Sequence, residues 1–131
     1  MRIEIGYFSQ HHGEYVGRPQ SPLGNPWSHK PTRYAEVVPT LERALALYAE
    51  WLRDRLRLGV LETNRQRAEM DRLKELLRLN RAITLRCWCS QKLRPPKDPP
   101  ECHADIIAKV LCEELDVPLP VFTGAGQLLL F

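Results

Sequence analysis

The chain has 131 residues and a mass of 15.2 kDa, enough for one modest hydrophobic core and not for two. Its 44% apolar content is that of a folding domain, and a formal charge of only +3, from 19 Lys and Arg against 16 Asp and Glu, permits contact with nucleic acid without arguing for it. No apolar run approaches the length of a bilayer span, and Met1-Arg2-Ile3-Glu4 lacks the charged-then-apolar form of a signal peptide, so the expected location is cytoplasmic, with no membrane partner.

Residues 2–8 alternate, with Ile3, Ile5 and Tyr7 on one face and Arg2, Glu4 and Gly6 on the other, and predict a strand. A turn at His11-His12-Gly13 and a second short strand at Tyr15-Val16 follow; the two histidines read as ordinary exposed turn residues. Residues 17–33 hold Gly17, Pro19, Pro22, Gly24, Pro26 and Pro31, a density that excludes helix and regular sheet and leaves a shaped loop of the kind that carries function.

Thr40 is placed to cap a helix over 41–58, whose Leu41, Leu45, Tyr48, Leu52 and Leu56 make one apolar stripe and which Gly59 stops. A second helix opens on a capping box of Thr63 with Gln66, buries Met70, Leu73, Leu76 and Leu77, and ends at Asn80. Residues 82–89 predict a strand with Ile83, Leu85, Cys87 and Cys89 on one face and Thr84, Arg86 and Trp88 on the other, so that both thiols of Cys-Trp-Cys point the same way. A proline-rich, charged connector over 91–101 leads to Cys102-His103 at the start of a third helix, which turns Ile106, Ile107, Val110, Leu111 and Leu115 inward and carries Asp105 where a carboxylate suits the helix dipole. Cys112, beside that stripe, reads as core. Pro118 and Pro120 end the helix and extend the chain toward Thr123-Gly124-Ala125-Gly126. The order of elements predicts one small α/β domain over 1–117, a short sheet packed with about three helices, followed by an extended C-terminal tail over 118–131.

In a reducing compartment four cysteines fit metal ligands, catalytic thiols or buried hydrophobes better than a disulfide framework. Three thiols and an imidazole, Cys87, Cys89, Cys102 and His103, make up the donor set of a tetrahedral zinc site, although Cys-x-Cys in a strand and adjacent Cys-His are unorthodox spacings. Alternatively Cys102 is a reactive thiol, its pKa lowered by the helix N-terminus and its proton passed to His103. In a third account Cys87 and Cys89 pack as small hydrophobes and His103 caps the helix. The loop is equally two-sided. Arg18 could hold a phosphate or carboxylate in its planar fork with Asn25 donating and accepting nearby, or it could clamp the loop to the sheet.

Together, Gly17-Arg18-Pro19, Gly24-Asn25-Pro26-Trp27, Tyr48 with Trp51-Leu52, Cys87-Trp88-Cys89 and Cys102-His103 resemble the signature of a phage and bacterial family catalogued as domain of unknown function 4326. The resemblance covers most of residues 15–112 and implies a fold class and a phage or mobile-element setting, but no activity. The chain departs from the pattern in its long proline-rich connector and in Ala104, where Gly is usual after Cys-His.

The tail carries a second resemblance. Gln127-Leu128-Leu129-Leu130-Phe131 fills every defined position of Gln-Leu-x-Leu-Phe, the clamp-binding pentapeptide of bacterial replication and repair proteins. Four specified residues at fixed places arise from composition about once in 10,000 to 100,000 positions. The resemblance implies that Gln127 bonds at the rim of a cleft on the DNA polymerase III beta sliding clamp while Leu128, Leu130 and Phe131 fill its apolar pockets. Burying such side chains is worth roughly 1.5 to 3 kcal/mol each. Two functions are therefore expected to compete: a replication-associated protein docked on the clamp, or an enzyme acting on a nucleotide or DNA base through Arg18, Asn25 and a centre at Cys102 and His103, delivered by the same tail.

Overall fold

The computed structural model describes residues 1–7, 13–58, 64–88, 92–122 and 128–130. Its sheet is built on three parallel strands, β1 (Arg2–Tyr7), β2 (Glu14–Tyr15) and β5 (Ala82–Cys87), with β5 in the centre. Register pairs Arg2 with Ala82 through Tyr7 with Cys87 on one side, and Glu14 with Leu85 and Tyr15 with Arg86 on the other. The first two strands are thus not a hairpin but flank a strand whose paired residues lie 80 positions after those of β1 and 71 after those of β2. Two-residue strands β3 (Trp27–Ser28), inside the proline-rich stretch where the sequence predicts no regular sheet, and β4 (Glu36–Val37), just after it, pair in parallel.

Three helices complete the domain: α1 (Leu41–Arg57), α2 (Arg65–Asn80) and α3 (His103–Leu115). Thr40 caps α1, its hydroxyl accepting from the Arg43 amide. The stripe Leu45, Tyr48, Leu52 and Leu56 is buried, with Ala44, while Leu41 at the helix mouth is exposed. Thr63 and Gly59, expected as cap and stop, lie outside the described residues; the cap of α2 is Asn64, whose side chain accepts from the Arg67 amide and donates to the Arg55 carbonyl, 2.8 Å away. One buried amide therefore serves an orphan donor of α2 and a carbonyl near the end of α1. The Gln66 side chain accepts from Arg55 Nε and donates to the Pro22 carbonyl, tying the loop to both helices. Asn80 closes α2 as expected, followed by Arg81 in the left-handed region.

The core lies where α1, α2 and α3 meet and where α2 and α3 cover the sheet. Tyr48, Leu52, Met70, Leu73, Leu77, Ile5, Leu85, Ile107 and Leu111 are fully buried, each contributing roughly 1.5 to 3 kcal/mol. The predicted alternation of β5 holds, with Ile83, Leu85 and Cys87 inward. In β1, Ile3 and Ile5 are buried but Tyr7, expected on the same face, is exposed at the strand end. β5 stops at Cys87; Trp88 begins a turn, and Cys89 lies outside the described residues.

The proline-rich connector is stitched to the edge of β1. Ile5 and Arg94 exchange both backbone hydrogen bonds, at 2.7 and 2.9 Å, and Pro96 is buried. After α3 and the left-handed Asp116, the chain forms β6 (Pro120–Phe122), which pairs antiparallel with β7 (Leu128–Leu130) in a sheet separate from that of the domain. No helix among the described residues is long and apolar enough to cross a membrane.

Candidate functional site

β2 and β5 run in the same direction, so the segments that leave their carboxyl ends, Val16-Gly17-Arg18 and Cys87-Trp88, emerge side by side. The Val16 amide extends the pairing by donating to the Arg86 carbonyl, 2.8 Å away. The N-terminus of α3 is fixed at this same end by two contacts: Cys87 Sγ stands 3.6 Å from Cys102 Sγ, and His103 Nε2 lies 2.8 Å from the Val16 carbonyl oxygen. Open parallel sheets bind ligands outside the carboxyl ends of their strands.

Beneath the α3 terminus is a polar knot that the sequence did not disclose. Asp105, 1% exposed, receives two hydrogen bonds from Arg94, at 2.7 and 2.9 Å, and further ones from the amides of Lys97, Glu101 and Cys102. Arg94 also donates to Cys102 Sγ at 3.4 Å. A buried carboxylate needs a partner charge and filled lone pairs, and Asp105 has both. The knot holds the proline-rich connector against the helix and so determines how closely Cys102 approaches Cys87.

The loop over 17–38 closes the opposite side. Arg18 Nη1 donates to the carbonyl of Asn25 at 2.8 Å and to that of Trp27 at 3.3 Å, bonds that clamp the loop to itself. Gly24 permits this: a Cβ there would stand 2.9 Å from the Arg18 Cα and Cβ. Asn25 is 5% exposed, its Oδ1 accepting from the Trp27 amide and its Nδ2 donating to the Ala44 carbonyl. Tyr48 anchors the loop to α1 by donating to the Leu23 carbonyl at 2.6 Å, and burial, reinforced by the Cys102 sulfur, raises its hydroxyl pKa well above the ordinary value.

Between loop, sheet end and helix is a cavity of about 400 Å³ lined by Gly17, Arg18, Gln20, Tyr34, Trp88 and His103, among others. A neighbouring recess of about 450 Å³ shares Arg18, Trp88 and His103 and adds Asn25, Lys30 and Cys102. Both volumes fall in the range of small-molecule sites, roughly 300 to 1,000 Å³. The structure therefore brings Arg18, Asn25, Cys102 and His103 to one place, with Cys87 behind them. Trp88, which the sequence places inside the Cys-Trp-Cys motif without a role of its own, and Tyr34, which lies in no motif, are 62% and 52% exposed and border the same cavity; a large exposed aromatic beside a hollow is the signal that would have found them.

His103 is 5% exposed and edge-on to Tyr48. Burial pushes its imidazole down to about 4, against the Val16 hydrogen bond, which favours the cation. Near neutral pH the ring is uncharged. A carbonyl 2.8 Å from Nε2 requires a proton on that nitrogen, which leaves Nδ1 as a bare acceptor. No protein donor among the described residues reaches Nδ1.

Of the four residues expected to bind zinc, Cys87 and Cys102 are adjacent. Two thiolates on a tetrahedral ion, each at about 2.3 Å, stand about 3.8 Å apart, close to the separation seen. Cys89 lies outside the described residues and His103 Nε2 is taken up by Val16; among the described residues no group of three or more His, Cys, Asp or Glu side chains could hold a metal ion. Cys112 is buried in the core, and burial pushes its thiol up to about 11. His11, His12, Gln127 and Phe131 are outside the described residues.

No curated protein and no solved structure matches the chain. A family model does: it spans residues 3–113, from β1 into the last turns of α3, and so takes in the sheet, the loop and the whole cavity. By that match the chain belongs to the family described as domain of unknown function (DUF4326).

Proposed function

We propose that this chain is a DNA-replication-associated binding protein that docks on the DNA polymerase III beta sliding clamp through Gln127, Leu128, Leu130 and Phe131. The observation that carries the reading is the complete pentapeptide pattern standing outside the family domain, whose match ends at residue 113. Two features support it. The leucines of the pattern form β7, whose partner among the described residues is β6 and not a strand of the domain's sheet. Backbone over 128–130 is extended, the form in which successive side chains diverge and can enter separate pockets. The family resemblance adds a phage or mobile-element setting, in which such a tail either recruits the protein to replicating DNA or competes with host factors for the clamp.

Calorimetric titration of the clamp with the parent and with a Leu130→Ala, Phe131→Ala double variant tests this. Micromolar binding by the parent, lost in the variant at an unchanged melting temperature, is expected. Equal affinity for both chains overturns it.

The cavity favours a second, compatible reading: a module that takes a nucleotide or DNA base at the carboxyl ends of β2 and β5, delivered to DNA by the tail. In that reading Arg18 and Asn25 give the loop its shape around the ligand, and His103, with its open Nδ1, is better placed to meet it than Cys102, which is 2% exposed and bonded to Arg94.

A further inference from the structure

We infer that the cavity seats the flat heteroaromatic ring of a nucleobase, bordered by Trp88 and Tyr34, with His103 Nδ1 accepting a hydrogen bond from a ring or exocyclic N–H. The inference rests on the second reading above and narrows it to one chemical class and one set of contacts.

Three independent observations converge on this class. The first is the locked tautomer. Val16 takes the Nε2 proton, and an uncharged, nine-tenths buried ring is left with an acceptor that no described protein group satisfies. Nδ1 is not among the sealed, unsatisfied side-chain atoms of the described residues, so it is reached from the cavity side and can exchange water for the N–H or O–H of a ligand. The second is the pair of exposed aromatics. Trp88 and Tyr34 belong to different segments, the turn after β5 and the loop before β4, yet both line the same hollow as His103. Trp88 is 62% and Tyr34 52% exposed, the Tyr34 ring with the Arg33 guanidinium 5.1 Å from its centroid, and stacking of a base on an accessible aromatic side chain is worth about 1 to 3 kcal/mol. The third is charge. Among the described residues that line this cavity Arg18 is the one ionised side chain, and its guanidinium is held by the loop carbonyls at the cavity wall. One fixed cation beside two aromatic rings suits a ring with a single anionic substituent, whereas binding a bare polyanion would call for a cluster of cations.

The base can come from a free nucleotide or from an unstacked position in single-stranded DNA; the shared chemistry is the ring and its N–H edge. Nuclear magnetic resonance titration of the full chain, following the Trp88 indole and His103 ring signals, separates the cases. The probes are the common nucleosides, their 5′-monophosphates, a short single-stranded oligodeoxynucleotide and ribose 5-phosphate. Saturable shifts at both residues with at least one nucleoside are expected, weakened about tenfold or more in Trp88→Ala, a surface change that leaves the melting temperature at the parent value. Binding of mononucleotides assigns a free ligand, and binding of the oligonucleotide alone assigns a DNA base. Because a change at His103 can unfold the chain, the donor requirement is tested on the ligand side: N-methylation of the bound base at its donor edge should weaken it about tenfold. Shifts with ribose 5-phosphate and none with any base overturn the inference and leave the cavity a ligand site. No shift at Trp88 or His103 with any probe overturns both, and base binding that survives Trp88→Ala unchanged places the ring elsewhere and overturns the inference.

Discussion

Two polar regions meet at the N-terminus of α3 and differ in one respect. Around Asp105 each carboxylate oxygen has donors, from Arg94 and from three backbone amides, and nothing is left to offer a ligand. Two residues earlier His103 is almost as deeply buried, but only one of its nitrogens is spoken for and the residue borders the cavity. Depth and polarity alone do not mark a functional residue; an unmet hydrogen-bonding atom beside a hollow does. The same contrast runs through the loop, where Asn25 is buried and bonded to Trp27 and Ala44 while Tyr34 and Trp88 are more than half exposed at the cavity.

The comparison breaks most visibly at the knot. Asp105→Asn strands a guanidinium that is 13% exposed, and removing one partner of a buried pair costs about 3 to 5 kcal/mol. Urea unfolding should record a loss of that size. A loss under about 1 kcal/mol would show that the knot is not what holds the connector, and the contrast with His103 would lose its structural side.

His103 supplies the next effect. Its folded pKa is about 4 against a reference near 6.5, so below about pH 6.5 the unfolded chain takes up a proton that the native chain refuses. Stability is therefore full above pH 6.5 and falls as the pH drops toward 4, by about 2 to 3 kcal/mol between pH 7 and pH 4.5. Glu114, held below the ordinary carboxylate range by hydrogen bonds from Arg67, titrates lower and contributes little in that window. In His103→Gln the stability should be nearly flat over the same range. A parent that is equally stable at pH 7 and pH 4.5 would mean that the imidazole is solvated.

Tyr48→Phe removes the hydroxyl that closes the loop on α1 and leaves the Leu23 carbonyl without that donor; about 1 to 2 kcal/mol should be lost in thermal unfolding. The smallest effect sharpens the comparison from the other side. Trp88→Ala should stay within about 0.5 kcal/mol of the parent, because a side chain 62% exposed adds little to the core. A larger loss would make Trp88 part of the fold and not of the site.

Much of this was legible from local pattern. Thr40 and the stripe from Leu45 to Leu56 give α1, the alternation of Ile83, Leu85 and Cys87 gives β5, and the prolines and glycines between Gly17 and Pro31 announce a loop, because each rests on the period of a side chain or the restriction of a backbone. The family resemblance, read from short motifs in order, agrees with the match over residues 3–113. Less legible were boundaries set by contacts: β5 ends two residues short of the predicted strand, and Tyr7 departs from the face its alternation assigns.

The sequence by itself determined which segments are helix and strand, which side of each is apolar, and that an Arg, an Asn and a Cys-His pair belong to distinctive motifs, since these depend on neighbours a few residues apart. Only the tertiary structure decided what those residues do with their polar atoms. Arg18 Nη1 goes to the carbonyls of Asn25 and Trp27, the Asp105 carboxylate to Arg94, and His103 Nε2 to Val16, a partner 87 positions away. Hydrogen bonds are satisfied by whatever the fold brings within about 3 Å, and no local spacing records that distance.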